Sequence, residues 1–195
     1  MDRKTPGIKE PKIISFDTPF ILKTKRILLR SFKVSDITEG YVKALNDETV
    51  IGLTESRYRS WTQSQAVEYV KKKANIQGTS HLVGIFINQG KKHIGNIRLH
   101  SFSPHNSRVE IGILIWDKRE WGKGYGTEAL QVLIDYIFIN LKLHKICAEY
   151  YAINKGSKKM FEKLKFVKEG VFKDYYFVAN KYIDAVRVAK INPKL

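Results

Sequence analysis

Three glycines at alternate positions, Gly122, Gly124 and Gly126, close the stretch V-E-I-G-I-L-I-W-D-K-R-E-W-G-K-G-Y-G that runs from Val109 to Gly126. Residues without side chains let a ligand approach the main chain, and a helix that follows begins with N–H groups lacking intrahelical partners. The dipole of that helix adds to the pull on an anion, and Lys123 places a positive charge in the loop itself. The apolar run before the glycines is too short to span a membrane and has the length of a buried strand. The local order is therefore strand, glycine loop, helix. Taken alone, such a triplet is also compatible with a tight strand-to-helix turn that binds nothing.

Two common phosphate loops are excluded by spacing. A Walker loop needs Ser or Thr after Gly-Lys, whereas Lys123 is followed by Gly124; a dinucleotide fingerprint needs a third glycine where Thr127 stands.

The elements that would position this loop follow from periodicity. The chain has 195 residues, 43% of them apolar, which suits one globular domain with a proper core. We expect an amino-terminal arm over residues 1–25, holding three of the five prolines, and a domain over 26–195. Arg26 to Phe32 reads as the first strand. Asp36 with Glu39 forms a capping box for a helix whose inner face is Ile37, Tyr41, Ala44 and Leu45. Residues 46–60 read as a loop, and a second helix starts at Thr62, boxed with Gln65, and runs through Ala74 toward Gly78. Leu82 to Ile87, His93 to Phe102 and the strand at Val109 form an antiparallel meander turned at Asn88 to Gly90 and Ser103 to Ser107. The helix from Thr127 is apolar over more than one stripe, so it lies against the sheet. Lys145 to Ala152 is a strand reached by a parallel crossover, Asn154 caps a last helix, and a hairpin turned at Ala179 to Lys181 ends the chain.

Lys and Arg total 35 against 19 for Asp and Glu, a formal charge of +16. The basic residues are scattered, with no sustained basic helix and no nucleic-acid motif, so nucleic acid is not the expected partner. The single cysteine, Cys147, lies in an apolar strand and forms no internal disulfide. His93, His100 and His105 lack the spacing of a metal site, so no metal is expected. The polar, basic amino terminus has no signal-peptide core and no run is long enough to cross a bilayer, so a cytoplasmic protein without a membrane partner is expected.

The segment W-G-K-G-Y-G-T-E-A, with N-K-G-S-K-K-M-F-E-K-L-K-F from Asn154, resembles the Gcn5-related N-acetyltransferase (GNAT) superfamily, in particular its Rim-type branch. Trp121 departs from the Gln or Arg usual at the first position of the acetyl-CoA signature, and Lys165 replaces a common glycine. The order of elements is similar to that fold over Arg26 to Ile191. The resemblance implies an α/β (α+β) fold: a mixed, mostly antiparallel sheet with helices on both faces and a splay between its fourth and fifth strands. It further implies acetyl-CoA as cosubstrate. Pantetheine would lie in the splay along the main chain of Leu114, Ile115 and Trp116, and the pyrophosphate would rest on Trp121, Gly122, Lys123, Gly124, Tyr125 and Gly126. Asn154 would contact the pantetheine arm.

For the chemistry, Glu110 matches the glutamate that relatives use as base, directly or through water. A backbone N–H near Ile115 would receive the oxyanion. Many relatives use a tyrosine as acid where this chain has Phe161, and Ser157, one turn earlier, serves similarly in parts of the Rim-type branch. Trp116 and Trp121 are left open as core, loop anchors or substrate walls. The acceptor implied is a primary amine, either a small molecule or a protein amino terminus. The segments Leu45 to Arg57 and H-I-G-N-I-R-L from His93 look most like members that modify nucleotide-linked amino sugars. A homodimer is allowed for. The rival reading is an acyl-CoA-binding sensor that has lost its chemistry, a reading Phe161 favours.

Overall fold

A computed structural model describes residues 21–74 and 80–194. Most of the expected arm, and the end of the second helix at residues 75–79, lie outside the described residues. Among the described residues eight strands form one sheet: β1 (Ile21–Lys23), β2 (Leu28–Ser31), β3 (His81–Ile87), β4 (Lys92–Ser103), β5 (Arg108–Ile115), β6 (Lys145–Tyr151), β7 (Val167–Val178) and β8 (Lys181–Ile191). Their order is β1-β2-β3-β4-β5-β6-β8-β7, and β5 with β6 is the one parallel pair among them. The arm thus contributes β1, which pairs with β2.

Helices α1 (Glu39–Ala44), α2 (Glu48–Ile51) and α3 (Gln63–Tyr69) cover one face, where Tyr41, Leu45, Val50, Ile51 and Ala66 pack with Phe32, Leu82 and Phe86. Helices α4 (Tyr125–Ile139) and α5 (Lys155–Lys163) cover the other. There Ala129, Leu130, Leu133, Ile134 and Ile137 of α4 and Phe161 of α5 meet Val109, Ile111, Ile146 and Ala148 from the strands. The split follows from period-two alternation: Val109, Ile111, Ile113 and Ile115 of β5 and Ile146, Ala148 and Tyr150 of β6 point to the α4 side, while Leu114 of β5 points to the other. Among the described residues no helix is long and apolar enough to cross a membrane.

Two local expectations are corrected. The first helix is capped by Thr38, whose hydroxyl accepts from the Tyr41 N–H at 3.2 Å. Asp36 is drawn away by Arg30, which holds its carboxylate at 2.6 and 2.7 Å. Residues 46–60 are also not a plain loop: α2 and a 3-10 turn over Glu55–Tyr58 lie within them. The box at Thr62 forms as expected, with Thr62 N–H donating to Gln65 at 2.8 Å. The closing hairpin turns on Ala179 and Asn180, both with positive φ, as a two-residue turn requires.

Candidate active site

The ladder between β5 and β6 runs from Arg108↔Lys145 to Ile111↔Ala148 and stops there, although β5 continues to Ile115 and β6 to Tyr151. The two strands separate over their last residues. On its other edge β5 stays paired with β4 as far as Gly95↔Ile115. The Trp116 N–H donates to the Ile94 carbonyl at 2.9 Å, which sets the phase of that ladder. Gly112, Leu114 and Trp116 therefore spend their main-chain groups on β4, while Ile113 and Ile115 turn theirs toward the opening. Of the expected line of Leu114, Ile115 and Trp116, Ile115 turns its main chain toward the opening together with Ile113, while Leu114 and Trp116 turn theirs toward β4. The Leu114 and Trp116 side chains pack beneath α1 and α3, and the Trp116 indole donates to His93 at 3.2 Å.

The glycine loop begins where β5 ends. Trp121, which is 44% exposed, donates its indole N–H to the Ile115 carbonyl at 2.7 Å and so anchors the loop to the open strand. Gly122 has φ 74° and a Cβ there would meet nothing within 4 Å; Gly124 has φ 83° and is the N-cap of α4, with no side-chain cap. These conformations explain glycine at both positions and leave the first N–H groups of α4 uncapped by any side chain. Gly126 is inside the helix, with Met160, Ile113 and Ile115 at 3.5 to 3.6 Å from where its Cβ would be.

Charge around the loop is held in place from below. Asp117 and Glu120 are buried, and Lys92 reaches both at 3.0 and 2.6 Å. Arg119 grips Asp117 at 2.9 Å and holds its carboxyl far below the usual carboxylate range, with Lys92 assisting. Lys123 pairs with Glu120 at 2.9 Å. Three cations on two carboxylates leave the cluster net positive. Arg26, which sequence reasoning passed over as the start of a strand, donates to Glu128 at 2.6 Å and to the Lys123 carbonyl at 3.2 Å, strapping the loop to α4. Its signal in the sequence was only a charge beside an apolar run.

The opening leads onto the face that bears α1 to α3. Glu110 lies on that face before the strands part, and Arg187 of β8 donates to both its oxygens at 2.6 and 3.1 Å. That ion pair, led by the Arg187 hydrogen bonds, lowers the Glu110 pKa. Beyond it Tyr151 and Tyr176 stack with centroids 3.8 Å apart. Tyr151 donates to Glu55 at 2.7 Å and accepts from Arg57; Tyr176 donates to Glu149 at 2.5 Å. None of Glu149, Tyr151 or Tyr176 was singled out from sequence. A cavity of about 400 Å³ lined by Arg59, Ser60, Trp61, Gln65, Glu68 and Tyr69 lies at the start of α3.

Asn154 caps α5, accepting from the Ser157 N–H at 2.9 Å. Ser157 is half-buried, one turn before Phe161, which is buried between Tyr150 and Phe166. Phe161 is a core residue.

The family model described as an acetyltransferase (GNAT) domain matches residues 26–167. An uncharacterized N-acetyltransferase, p20, of Bacillus licheniformis is 28% identical over 163 residues, covering 84% of this chain and 91% of the relative. The [ribosomal protein uS5]-alanine N-acetyltransferase of Escherichia coli is 32% identical over 123 residues, 60% of each chain. Among solved structures, a ribosomal L7/L12 alpha-N-protein acetyltransferase in complex with coenzyme A superposes with a TM-score of 0.78 at 18% identity, over 88% of this chain and 98% of the other.

Proposed function

The chain belongs to the GNAT acetyltransferase family, and from that premise we propose that it transfers an acetyl group from acetyl-CoA to a primary amine by direct attack in a ternary complex. The observation that carries this reading is the parting of β5 from β6 beside a glycine loop with no side-chain cap. An extended amide-bearing arm pairs with such an edge as a strand would, through the main chain of Ile113 and Ile115. A diphosphate matches the N–H groups around Gly122 to Gly126, with the positive charge of Lys123 and Arg26 beside them. Acetyl-CoA supplies the activated thioester. The Ile115 N–H is the proposed oxyanion donor, since the ladder phase turns it into the opening. Asn154 offers the arm its side-chain amide while its oxygen caps α5, and Ser157 is the proposed proton donor to the departing thiolate, a role Phe161 cannot fill. Glu110, engaged by Arg187, is better suited to fixing charge at the site than to accepting a proton.

For the acceptor, a nucleotide-linked amino sugar is supported by the cavity near α3. Trp61 and Tyr69 meet edge to face at 5.6 Å, Arg59 lies 6.0 Å from the Trp61 ring, and Arg98 lies 5.9 Å from the Tyr69 ring. Aromatic faces with guanidinium groups suit a base and its phosphates. A protein amino terminus is the second reading, favoured by the similarity to ribosomal-protein acetyltransferases. The test is thiol release from acetyl-CoA over a panel of amines including amino-sugar nucleotides and peptide amino termini. Turnover with one class identifies the acceptor. Binding of acetyl-CoA without turnover on any amine would leave an acyl-CoA sensor instead.

A further inference from the structure

Resting on the acetyl-transfer reading, we propose that Arg98 selects the acceptor by its charge, holding a phosphate that the acceptor carries between its reacting amine and the part seated in the cavity near α3. On this account the enzyme takes phosphate-bearing amines and refuses polyamines. Ile97 and Leu99 of β4 face the core beneath α4, so Arg98 between them stands on the opposite face, the one that bears α1 to α3. Its cross-strand partner is Gly112, the first residue of β5 past the last pair with β6, Ile111↔Ala148. A Cβ at Gly112 would meet nothing within 4 Å, so the stem of Arg98 rises beside open space at the mouth of the splay.

The head of the same side chain reaches the cavity. Its guanidinium carbon lies 5.9 Å from the ring of Tyr69, and Tyr69 is a wall of the cavity that Arg59 and Trp61 also line. Arg98 thus spans from the point where the strands part to the cavity, the path that a linker between amine and base would follow. A phosphate on that path meets a guanidinium whose fork suits two of its oxygens.

Charge favours the same occupant. Arg98 is exposed, its Nε donates to Ser80 Oγ at 3.3 Å, and Nη1 and Nη2 have no hydrogen-bond partner among the described residues. Other guanidinium groups of this face are already engaged. Arg187 donates to both oxygens of Glu110, Arg108 lies 3.6 Å from the same carboxylate, and Arg57 is held by Tyr151, Tyr58 and Glu55. Glu149 accepts from Tyr176, and Glu68, the carboxylate in the cavity wall, pairs with Lys72 at 3.1 Å. Arg98, Arg108 and Arg187 against Glu110 and Glu149 leave the strip beside the opening net positive. A polyamine is repelled there, whereas a phosphate is drawn in.

The experiment saturates the full-length protein with acetyl-CoA, so that the glycine loop is occupied, and titrates it with uridine diphosphate, comparing wild type with Arg98→Gln, Arg98→Lys and Arg98→Glu. Thiol release is followed with a uridine diphosphate-linked amino sugar, the free amino sugar, spermidine and a peptide amino terminus. Wild type is expected to bind uridine diphosphate, Arg98→Gln to weaken that binding about 10- to 100-fold, and Arg98→Lys, which keeps the charge without the fork, to lose less. KM for the nucleotide-linked amine should rise by a similar factor at nearly unchanged kcat, KM for the free amino sugar should not move, and Arg98→Glu should gain turnover on spermidine. Acetyl-CoA affinity and melting temperature should stay at the wild-type values, since the Arg98 head is exposed and held by one hydrogen bond. Binding of uridine diphosphate that survives Arg98→Gln, or wild-type turnover confined to spermidine or to the peptide, would overturn the assignment while acetyl transfer stands. Wild-type protein that binds acetyl-CoA yet releases no thiol with any amine fails the acetyl-transfer reading itself and takes this assignment with it.

Discussion

Trp121 and Ile115 are joined by a 2.7 Å hydrogen bond from the indole N–H to the main-chain carbonyl, which ties the start of the glycine loop to the last residue of the open strand. The bond aligns the two surfaces proposed to hold one ligand, the diphosphate grip and the strand edge. Trp121→Phe keeps an aromatic ring and removes the donor. A single neutral hydrogen bond contributes about 1 kcal/mol, so acetyl-CoA binding should weaken roughly fivefold, measured by calorimetry, with little change in melting temperature. Unchanged affinity would show that the anchor does not set the geometry of the grip.

The glycines of the loop are not equivalent. Gly124 has φ 83°, so Gly124→Ala places a Cβ in a left-handed conformation and should destabilise the fold by about 1 to 2 kcal/mol. Gly126 lies inside α4 with contacts no closer than 3.5 Å, so Gly126→Ala should leave stability unchanged or raise it by up to about 1 kcal/mol. Denaturant midpoints of the ligand-free variants distinguish the two, and equal losses would contradict the difference.

Lys165, just past the end of α5, has φ 61°, a left-handed conformation that favours glycine. Lys165→Gly relieves that strain. After allowing for the extra freedom of glycine in the unfolded chain, a gain of about 1 kcal/mol is expected, a rise of roughly 2 to 4 °C in melting temperature. A lower melting temperature would mean that the lysine side chain contributes more than the backbone strain removes.

Stability should fall on mild acidification because of two buried imidazoles. Burial lowers the pKa of both His81 and His93 to about 4, and His93 is enclosed by Phe32, Tyr41, Phe86 and Trp116. A depressed histidine binds its proton more readily in the unfolded chain. Its contribution is therefore complete above the unfolded pKa of about 6.5 and is lost as pH falls from there toward 4. From pH 7.5 to 5.0 the loss is about 2 kcal/mol for each. The paired carboxylates of Asp36, Glu110 and Asp117, with lowered pKa values, weaken only at lower pH. Urea unfolding at the two pH values measures the difference, and equal midpoints would contradict it.

Much of the frame was legible because its signals are local. The Thr62 box, the apolar helix after the glycines and the hairpin around Ala179 each rest on residues close in sequence. Helix α2 was not legible, since four residues in a polar segment carry no period. Asp36 misled because its carboxylate had a stronger claim from Arg30 than from a helix N-terminus. Around the opening, the turn at Gly122 and Gly124 was readable from spacing, whereas the direction of each main-chain group depends on the phase of the β4 ladder, which turns Ile113 and Ile115 rather than Leu114 and Trp116 toward the opening. Glu149 and Tyr176 come from strands separated by β8, and no short motif records that they meet.

Amide hydrogen exchange followed residue by residue, with and without acetyl-CoA, tests the opening most directly. In free protein the amides of Leu114 and Trp116 should already be protected by β4, while those of Ile113 and Ile115 exchange quickly. Acetyl-CoA should slow Ile113 and Ile115 selectively, together with the amides around Gly124. Ile113 and Ile115 protected from the outset, and indifferent to acetyl-CoA, would contradict the account.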